Sequence, residues 1–232
     1  DSGTVVDSAP GVVLINTTLT DGTGAGTGMI IDSSGIVITN YHVVSDSETV
    51  TLTIADSGKQ YSATVLGHDA TNDVAVLQIT GGSDFDTVTT NTDTVKAGQQ
   101  VSALGNGSGQ GYLTQLDGTV TGLDQTITAQ DSSSASGGET LTGLIETDAD
   151  VVAGYSGGPL MNSDGEVIGI TTAASTGNTS ADISGYAIPI ATALDIAQKV
   201  LAGESSDTIV ISRDPALGVM ISDGQTGVTI VQ

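Results

Sequence analysis

The 232-residue sequence has 38% apolar but only 3% aromatic residues, so its core must be built from aliphatic side chains. A net charge of −23, from 27 acidic and four basic residues, excludes nucleic-acid binding because such a surface repels phosphate backbones. The absence of cysteine excludes disulfides and thiol chemistry, and no run of about 18 apolar residues could cross a membrane.

Short apolar runs separated by turn residues predict β-strands along most of the chain, in two sets. The first set covers residues 12–15, 28–31, 36–39, 49–54, 61–66 and 74–79. After a polar linker at 81–96, the second covers 100–104, 118–123, 144–147, 167–171 and 185–188. A single helix is predicted at 189–202, followed by strand-like runs at 216–221 and 227–231. Such regular short strands favour an all-β sandwich or barrel architecture.

Ser156 is the candidate nucleophile, in the segment Gly154-Tyr155-Ser156-Gly157-Gly158-Pro159. A serine hydroxyl is a weak nucleophile and needs a base within hydrogen-bond reach. The chain has only two histidines, His42 and His68, so any serine–histidine mechanism must use one of them.

The order of these residues separates three architectures of serine hydrolases. An α/β-hydrolase shares the Gly-x-Ser-x-Gly pattern but places its histidine after the serine, whereas both histidines here precede Ser156. The subtilisin order, Asp then His then Ser, would need a helix-rich chain, and one helix is predicted. The remaining order, His then Asp then Ser, is that of the chymotrypsin type.

The candidate base and its carboxylate partner both lie beside predicted strands. His42 follows the strand run 36–39, whereas His68 lies in a turn-like segment and is interpreted as structural. Asp73 comes directly before the apolar strand at 74–79, so it is expected to be partly buried and to orient the imidazole. Asp69 is its competitor, but it belongs to the turn.

The glycines around Ser156 have a physical reason. Acyl transfer passes through an oxyanion, which two backbone N–H groups must stabilise. Gly154 and Ser156 can supply them if the loop adopts the unusual backbone conformations that glycine permits. The sequence therefore predicts an oxyanion hole formed by Gly154 and Ser156.

Several segments together resemble the HtrA (high-temperature-requirement) family of chymotrypsin-like serine proteases. The resemblance covers about residues 4–202 and rests on motifs in the family's order. These motifs are Gly26-Thr27-Gly28, Thr39-Asn40-Tyr41-His42, Asn72-Asp73-Val74, Ala103-Leu104-Gly105-Asn106, Glu146-Thr147-Asp148-Ala149, the serine segment and Gly185-Tyr186-Ala187-Ile188-Pro189.

The resemblance implies a fold of two six-stranded Greek-key β-barrels with a C-terminal helix. The expected units are 1–88 with His42 and Asp73, 89–203 with Ser156, and 204–232 as a linker and the start of a truncated PDZ domain. It implies a serine endopeptidase acting on unfolded or damaged proteins, with Thr171, Thr172 and Ala173 pairing with the substrate strand. No metal or organic cofactor is expected.

The resemblance also sets expectations about context. It implies a bacterial protein of the cell envelope or the extracellular space, held at the membrane only through an N-terminal segment absent from this chain. It allows a homotrimer. The alternative function is an envelope chaperone or peptide-binding protein whose protease site is resting and regulated.

Two positions close to Ser156 bear on activation and on substrate preference. Tyr155 stands where the family usually has Asn and trypsin-like enzymes have Asp, so activation through a buried ion pair with a freed N-terminus is not expected. Asp150 lies six residues before Ser156, where trypsin-like proteases carry the acid that selects Lys or Arg. The HtrA-like loop implies small or medium apolar side chains instead.

Overall fold

The structure is a computed structural model that describes residues 3–129, 139–172, 185–212, 220–224 and 227–231. Strands dominate it, as the sequence predicts. The elements of its N-terminal half are β1 (Thr4–Val5), β2 (Val12–Leu19), β3 (Gly22–Asp32), β4 (Ile36–Thr39), α1 (Tyr41–Val44), β5 (Thr49–Ile54), β6 (Gln60–Asp69) and β7 (Val74–Thr80).

Strands β2 to β7 form a closed six-stranded antiparallel barrel. Its hydrogen-bonded order is β5-β2-β3-β4-β7-β6, and β6 pairs back to β5. The first four strands have the Greek-key order, in which the fourth strand returns to lie beside the first. Aliphatic side chains fill the barrel, as the low aromatic content requires; they include Val13, Ile15, Ile30, Val37, Leu52 and Leu77.

The C-terminal half repeats this topology. Its elements are β8 (Gln100–Gly105), β9 (Thr114–Ala129), β10 (Glu139–Thr147), β11 (Pro159–Met161), β12 (Val167–Thr172), β13 (Gly185–Pro189), α2 (Ile190–Leu201), β14 (Ile209–Ile211), β15 (Met220–Gly224) and β16 (Gly227–Val231). Strands β8 to β13 pair in the order β11-β8-β9-β10-β13-β12, and β12 pairs back to β11. The predicted fold of two six-stranded Greek-key barrels with a C-terminal helix is confirmed.

Two strands of the first barrel are buried on both faces. In β4 and β7, Val37, Ala75 and Leu77 point into the barrel. The alternating residues, which include Ile38 and Val76, pack outward against the second barrel and α2. Burial on both faces explains why the sequences of both strands are continuous apolar runs. Each fully buried side chain of this kind stabilises the fold by about 1.5–3 kcal/mol.

Three peripheral strands extend the barrels. β1 pairs with the start of β9, so the N-terminal residues join the second barrel's sheet. β14 pairs with β6 of the first barrel, in a segment that the sequence analysis treated as linker. β15 and β16 form an antiparallel hairpin. Within the described residues, neither helix is long and apolar enough to cross a membrane.

Candidate active site

His42 and Asp73 meet because the strands beside them are neighbours. β4 and β7 pair with Thr39 opposite Ala75, and His42 follows β4 while Asp73 precedes β7. The His42 Nδ1 lies 2.8 Å from Oδ2 of Asp73. The other carboxylate oxygen, Oδ1, accepts a hydrogen bond of 2.9 Å from the His42 backbone N–H. The carboxylate therefore fixes both the ring and the main chain of His42.

Asp73 is itself held rigidly. Its side chain is almost fully buried, at 4% exposure, while the His42 side chain is 46% exposed. Its φ of +54° lies in the left-handed region, and its carbonyl accepts hydrogen bonds from the Tyr41 N–H and the Asn40 amide. The Thr172 hydroxyl, from the second barrel, lies 3.5 Å from Oδ2. An acid held on all sides keeps the imidazole in one orientation, which a general base requires.

Ser156 lies on the turn between β10 and β11, at the junction of the two barrels. It is buried, and its carbonyl accepts a 3.0 Å hydrogen bond from the Thr27 N–H of the first barrel. Gly26 separates this carbonyl from Val43, the residue after His42: a Cβ on Gly26 would lie 3.2 Å from the Ser156 oxygen and 2.6 Å from the Val43 methyl. The structure thus places the main chain of Ser156 close to the segment that carries His42.

The residues before Ser156 form a tight turn, hereafter the oxyanion turn (Val152–Tyr155). The Tyr155 N–H donates to the Val152 carbonyl at 3.1 Å, and Gly154, third in the turn, has φ +95°. A positive φ at that position defines the type II family of turns and requires glycine in practice. A Cβ on Gly154 would fall 2.0 Å from the Asn106 carbonyl oxygen, so no other residue fits here.

Hydrogen bonds from both barrels set the orientation of this turn. The Ala153 carbonyl accepts from the Ser108 N–H at 2.7 Å, and the Gly154 carbonyl accepts from the Thr27 hydroxyl at 2.7 Å. The C=O and N–H of one trans peptide point in opposite directions, so the Gly154 N–H points away from Ser108. Within the described part of the chain, no acceptor takes this N–H.

The three residues expected to pair with the substrate strand have different surroundings. Both main-chain groups of Thr171 bind the two glycines that follow Ser156: its carbonyl accepts from the Gly157 N–H and its N–H donates to the Gly158 carbonyl, each at 2.8 Å. Thr172 ends β12 and its hydroxyl approaches Asp73. Ala173 lies outside the described residues. The main chain of Thr171 thus holds the two residues that follow Ser156.

The competing candidates take other places. His68 stacks on the Tyr41 ring, with centroids 4.0 Å apart, and desolvation lowers the pKa of its imidazole. Asp69 is buried, but its carboxylate accepts hydrogen bonds from Asn72 and Thr208 instead of His42. Asp150 is exposed at the surface.

Sequence reasoning missed Thr27, which bridges the halves of the site. Its hydroxyl donates to the Gly154 carbonyl and accepts from the Asn106 N–H at 3.0 Å, although it is fully buried. The available signal was a threonine between two glycines, directly before the apolar run Met29-Ile30-Ile31. Only the fold shows that its partners lie 79 and 127 positions away.

Comparison with known proteins finds similarity to trypsin-like peptidases and serine proteases. The family described as the trypsin-like peptidase domain matches residues 26–170. The putative serine protease HhoB of Synechocystis sp. is 36% identical over 177 residues, 76% of this chain and 40% of that protein. The periplasmic pH-dependent serine endoprotease DegQ of Escherichia coli is 35% identical over 181 residues, 77% of this chain and 37% of that protein.

Solved structures show the same fold. The crystal structure of the serine endoprotease from Yersinia pestis is 27% identical, with a TM-score of 0.71 over 84% of this chain and 64% of that one. The chain spans about two fifths of the length of the curated relatives it matches.

Proposed function

This chain belongs to the trypsin-like peptidase family, and we propose that it is a serine endopeptidase that cleaves polypeptides through an acyl-enzyme intermediate. The observation that carries the proposal is the 2.8 Å pair of His42 and Asp73, together with the hydrogen bond that holds the Ser156 carbonyl against Thr27 of the first barrel. Because Asp73 engages Nδ1, the imidazole keeps its second nitrogen, Nε2, for proton transfer with the serine.

The first half of the reaction forms the acyl-enzyme. His42 takes the proton of the Ser156 hydroxyl as its oxygen attacks the peptide carbonyl carbon. Asp73 stabilises the imidazolium that results. The protonated His42 then gives its proton to the leaving amine as the peptide bond breaks. In the second half, water attacks the ester, His42 takes the proton of the water, and the Ser156 oxygen regains a proton as the acid leaves.

The oxyanion of each tetrahedral intermediate is placed against the N–H groups of Gly154 and Ser156. The orientation of the Ala153–Gly154 peptide supports this assignment, because its C=O is bonded to Ser108 on the opposite side. Removing one such donor typically slows catalysis ~10²–10³-fold. The same orientation argues for a working protease over the resting, peptide-binding alternative.

Substrates are proposed to be unfolded or damaged polypeptides. An extended chain is proposed to pair with the main chain of Thr172, whereas the main-chain groups of Thr171 are already bonded to Gly157 and Gly158. The net charge of −23 disfavours strongly acidic substrates, because like charges repel as the partners approach.

The setting of the protein is likewise a proposal. The name of the Escherichia coli relative includes the word periplasmic, which supports a place in the cell envelope or outside the cell. We propose barrel units at 1–88 and 89–203, and a PDZ start within 204–232, of which residues 213–219, 225–226 and 232 lie outside the described ranges. Membrane attachment through a preceding segment and a homotrimer complete this proposal.

The experiment that tests the function compares two serine variants in casein cleavage. Ser156→Ala removes the nucleophile and is expected to abolish cleavage. Ser163→Ala changes an exposed serine in a nearby turn and is expected to cleave at the wild-type rate. Cleavage by Ser156→Ala at the wild-type rate would contradict the assignment.

A further inference from the structure

Tyr155 is a large, fully buried side chain between the two proposed oxyanion donors. It is 1% exposed, and its backbone closes the oxyanion turn through the hydrogen bond to Val152. Its ring does not point toward His42. It enters the second barrel, where Val101, Ala103, Leu116 and Leu160 belong to the same apolar cluster.

Glycines form the slot that holds the ring. A Cβ on Gly105, at the end of β8, would lie 2.5 Å from the ring carbon Cγ of Tyr155. A Cβ on Gly107 would lie 3.2 Å from Cε2, and one on Gly3 would lie 3.1 Å from the hydroxyl oxygen. The slot therefore accepts the ring only because side chains are absent at these places, and the N-terminal strand β1 brings Gly3 to the hydroxyl.

The hydroxyl is anchored at the far end of the slot. It shares a 2.5 Å hydrogen bond with the hydroxyl of Thr114, the first residue of β9, which is also buried. Gln110 donates a second hydrogen bond to Thr114 at 3.3 Å. Burial raises the pKa of the Tyr155 hydroxyl, so the anchor stays uncharged. No freed amino terminus is needed to neutralise it.

This anchor acts on a turn that could otherwise rotate. Gly154 has φ +95°, and glycine also populates the negative-φ conformations that would turn the peptide over. The hydrogen bonds from Ser108 and Thr27 hold the first half of the turn, and the Tyr155 ring holds the second. We propose that Tyr155 is a positioning residue, an uncharged anchor that keeps the Gly154 N–H directed at the oxyanion. This inference rests on the proposed function.

The test compares Tyr155→Phe with Tyr112→Phe. Both remove one hydroxyl, but Tyr112 is 49% exposed and lies on the connection between β8 and β9. For Tyr155→Phe, kcat per active site is expected to fall about 10-fold with KM unchanged. This fall is smaller than the one expected when a whole oxyanion donor is lost, because the ring still fills the slot. A peptide boronate, whose tetrahedral oxygen occupies the hole, should bind about 10-fold more weakly. Tyr112→Phe should match the wild type in both measurements.

A second variant tests whether Tyr155 acts through its hydrogen bond to Thr114. Thr114→Val removes the other hydroxyl of the pair, and combining it with Tyr155→Phe should cost no more in kcat than either change alone. Active sites are counted by titration with a fluorophosphonate, which separates a slower enzyme from a smaller folded fraction.

Three results would overturn the inference: kcat per titrated site unchanged in Tyr155→Phe, a loss confined to KM, or additive losses in the double variant. If these occur while Ser156→Ala is inactive, only the role of Tyr155 is lost. If Ser156→Ala remains active, the proposed function itself is lost.

Discussion

The two halves of the candidate active site are held together in different ways. The histidine–aspartate half lies at the ends of β4 and β7. Asp73 accepts hydrogen bonds from Tyr41, Asn40 and His42, all within the first barrel. The serine half is a turn whose key carbonyls are held by Thr27 and Ser108, from other parts of the chain. Rigid strands thus position the proposed base, while tertiary contacts position the proposed oxyanion donors.

This difference teaches where the enzyme is vulnerable. Changes at the base should damage the chemistry while leaving the surrounding structure in place. Changes around the oxyanion turn should lower the rate by altering the turn's orientation. The following variants, from the largest expected effect to the smallest, test that contrast.

The largest effect is expected for Asp73→Asn. Asparagine tolerates the positive φ of +54° at this site and can keep the backbone, but its NH₂ group favours the wrong imidazole tautomer. We expect kcat to fall about 10⁴-fold, measured with a chromogenic peptide. The matched control is Asp69→Asn, which alters an equally buried carboxylate that bonds Asn72 and Thr208. It should keep kcat near wild type, and a comparable loss in both variants would contradict the pairing.

A smaller effect is expected for Gly154→Ala. Its Cβ would lie 2.0 Å from the Asn106 carbonyl, so the turn must move and the Gly154 N–H must leave the oxyanion position. We expect kcat/KM to fall about 10²–10³-fold. Gly165→Ala is the control, because Gly165 also has a positive φ, +75°, but faces open space. If both variants lose activity equally, backbone strain and not the oxyanion turn would be responsible.

The smallest effect is expected for His68→Phe, which keeps a ring to stack on Tyr41. Desolvation lowers the folded-state pKa of His68, so the unfolded chain binds more protons below the ordinary value of about 6.5. Stability contributed by the neutral His68 is therefore present above about pH 6.5 and is lost as pH falls through the folded-state pKa. Denaturant unfolding between about pH 5 and 7 should show a flatter pH dependence in the variant. If the pH dependence of the free energy of unfolding is unchanged in the variant, a group other than His68 is responsible for it.

Much of this architecture could be predicted from the sequence because its signals are local. The apolar runs at 36–39 and 74–79 correspond to β4 and β7, and the helix expected at 189–202 is Ile190–Leu201. His42 and Asp73 could be proposed because each lies beside one of these strands. The order of these residues and the single predicted helix indicated the chymotrypsin type, and the resemblance to the HtrA family implied the two barrels.

The remaining features depend on contacts that no local pattern reveals. The short strand Ile209–Ile211 was missed, since three residues form a strand only because β6 offers an edge. Thr27 and Thr114 appear as ordinary strand residues until the fold places them against Gly154 and Tyr155. The predicted linker also contains Thr90, which bridges to Val167 of the second barrel.

The most direct test of the central claim is to find which residue a fluorophosphonate modifies. The native protein is treated with the reagent at neutral pH and its peptides are analysed by mass spectrometry. If Ser156 is the activated nucleophile, one adduct per chain should map to Ser156, and Asp73→Asn should slow its formation strongly. An adduct on another serine, or proteolysis that persists with Ser156 unmodified, would contradict the account.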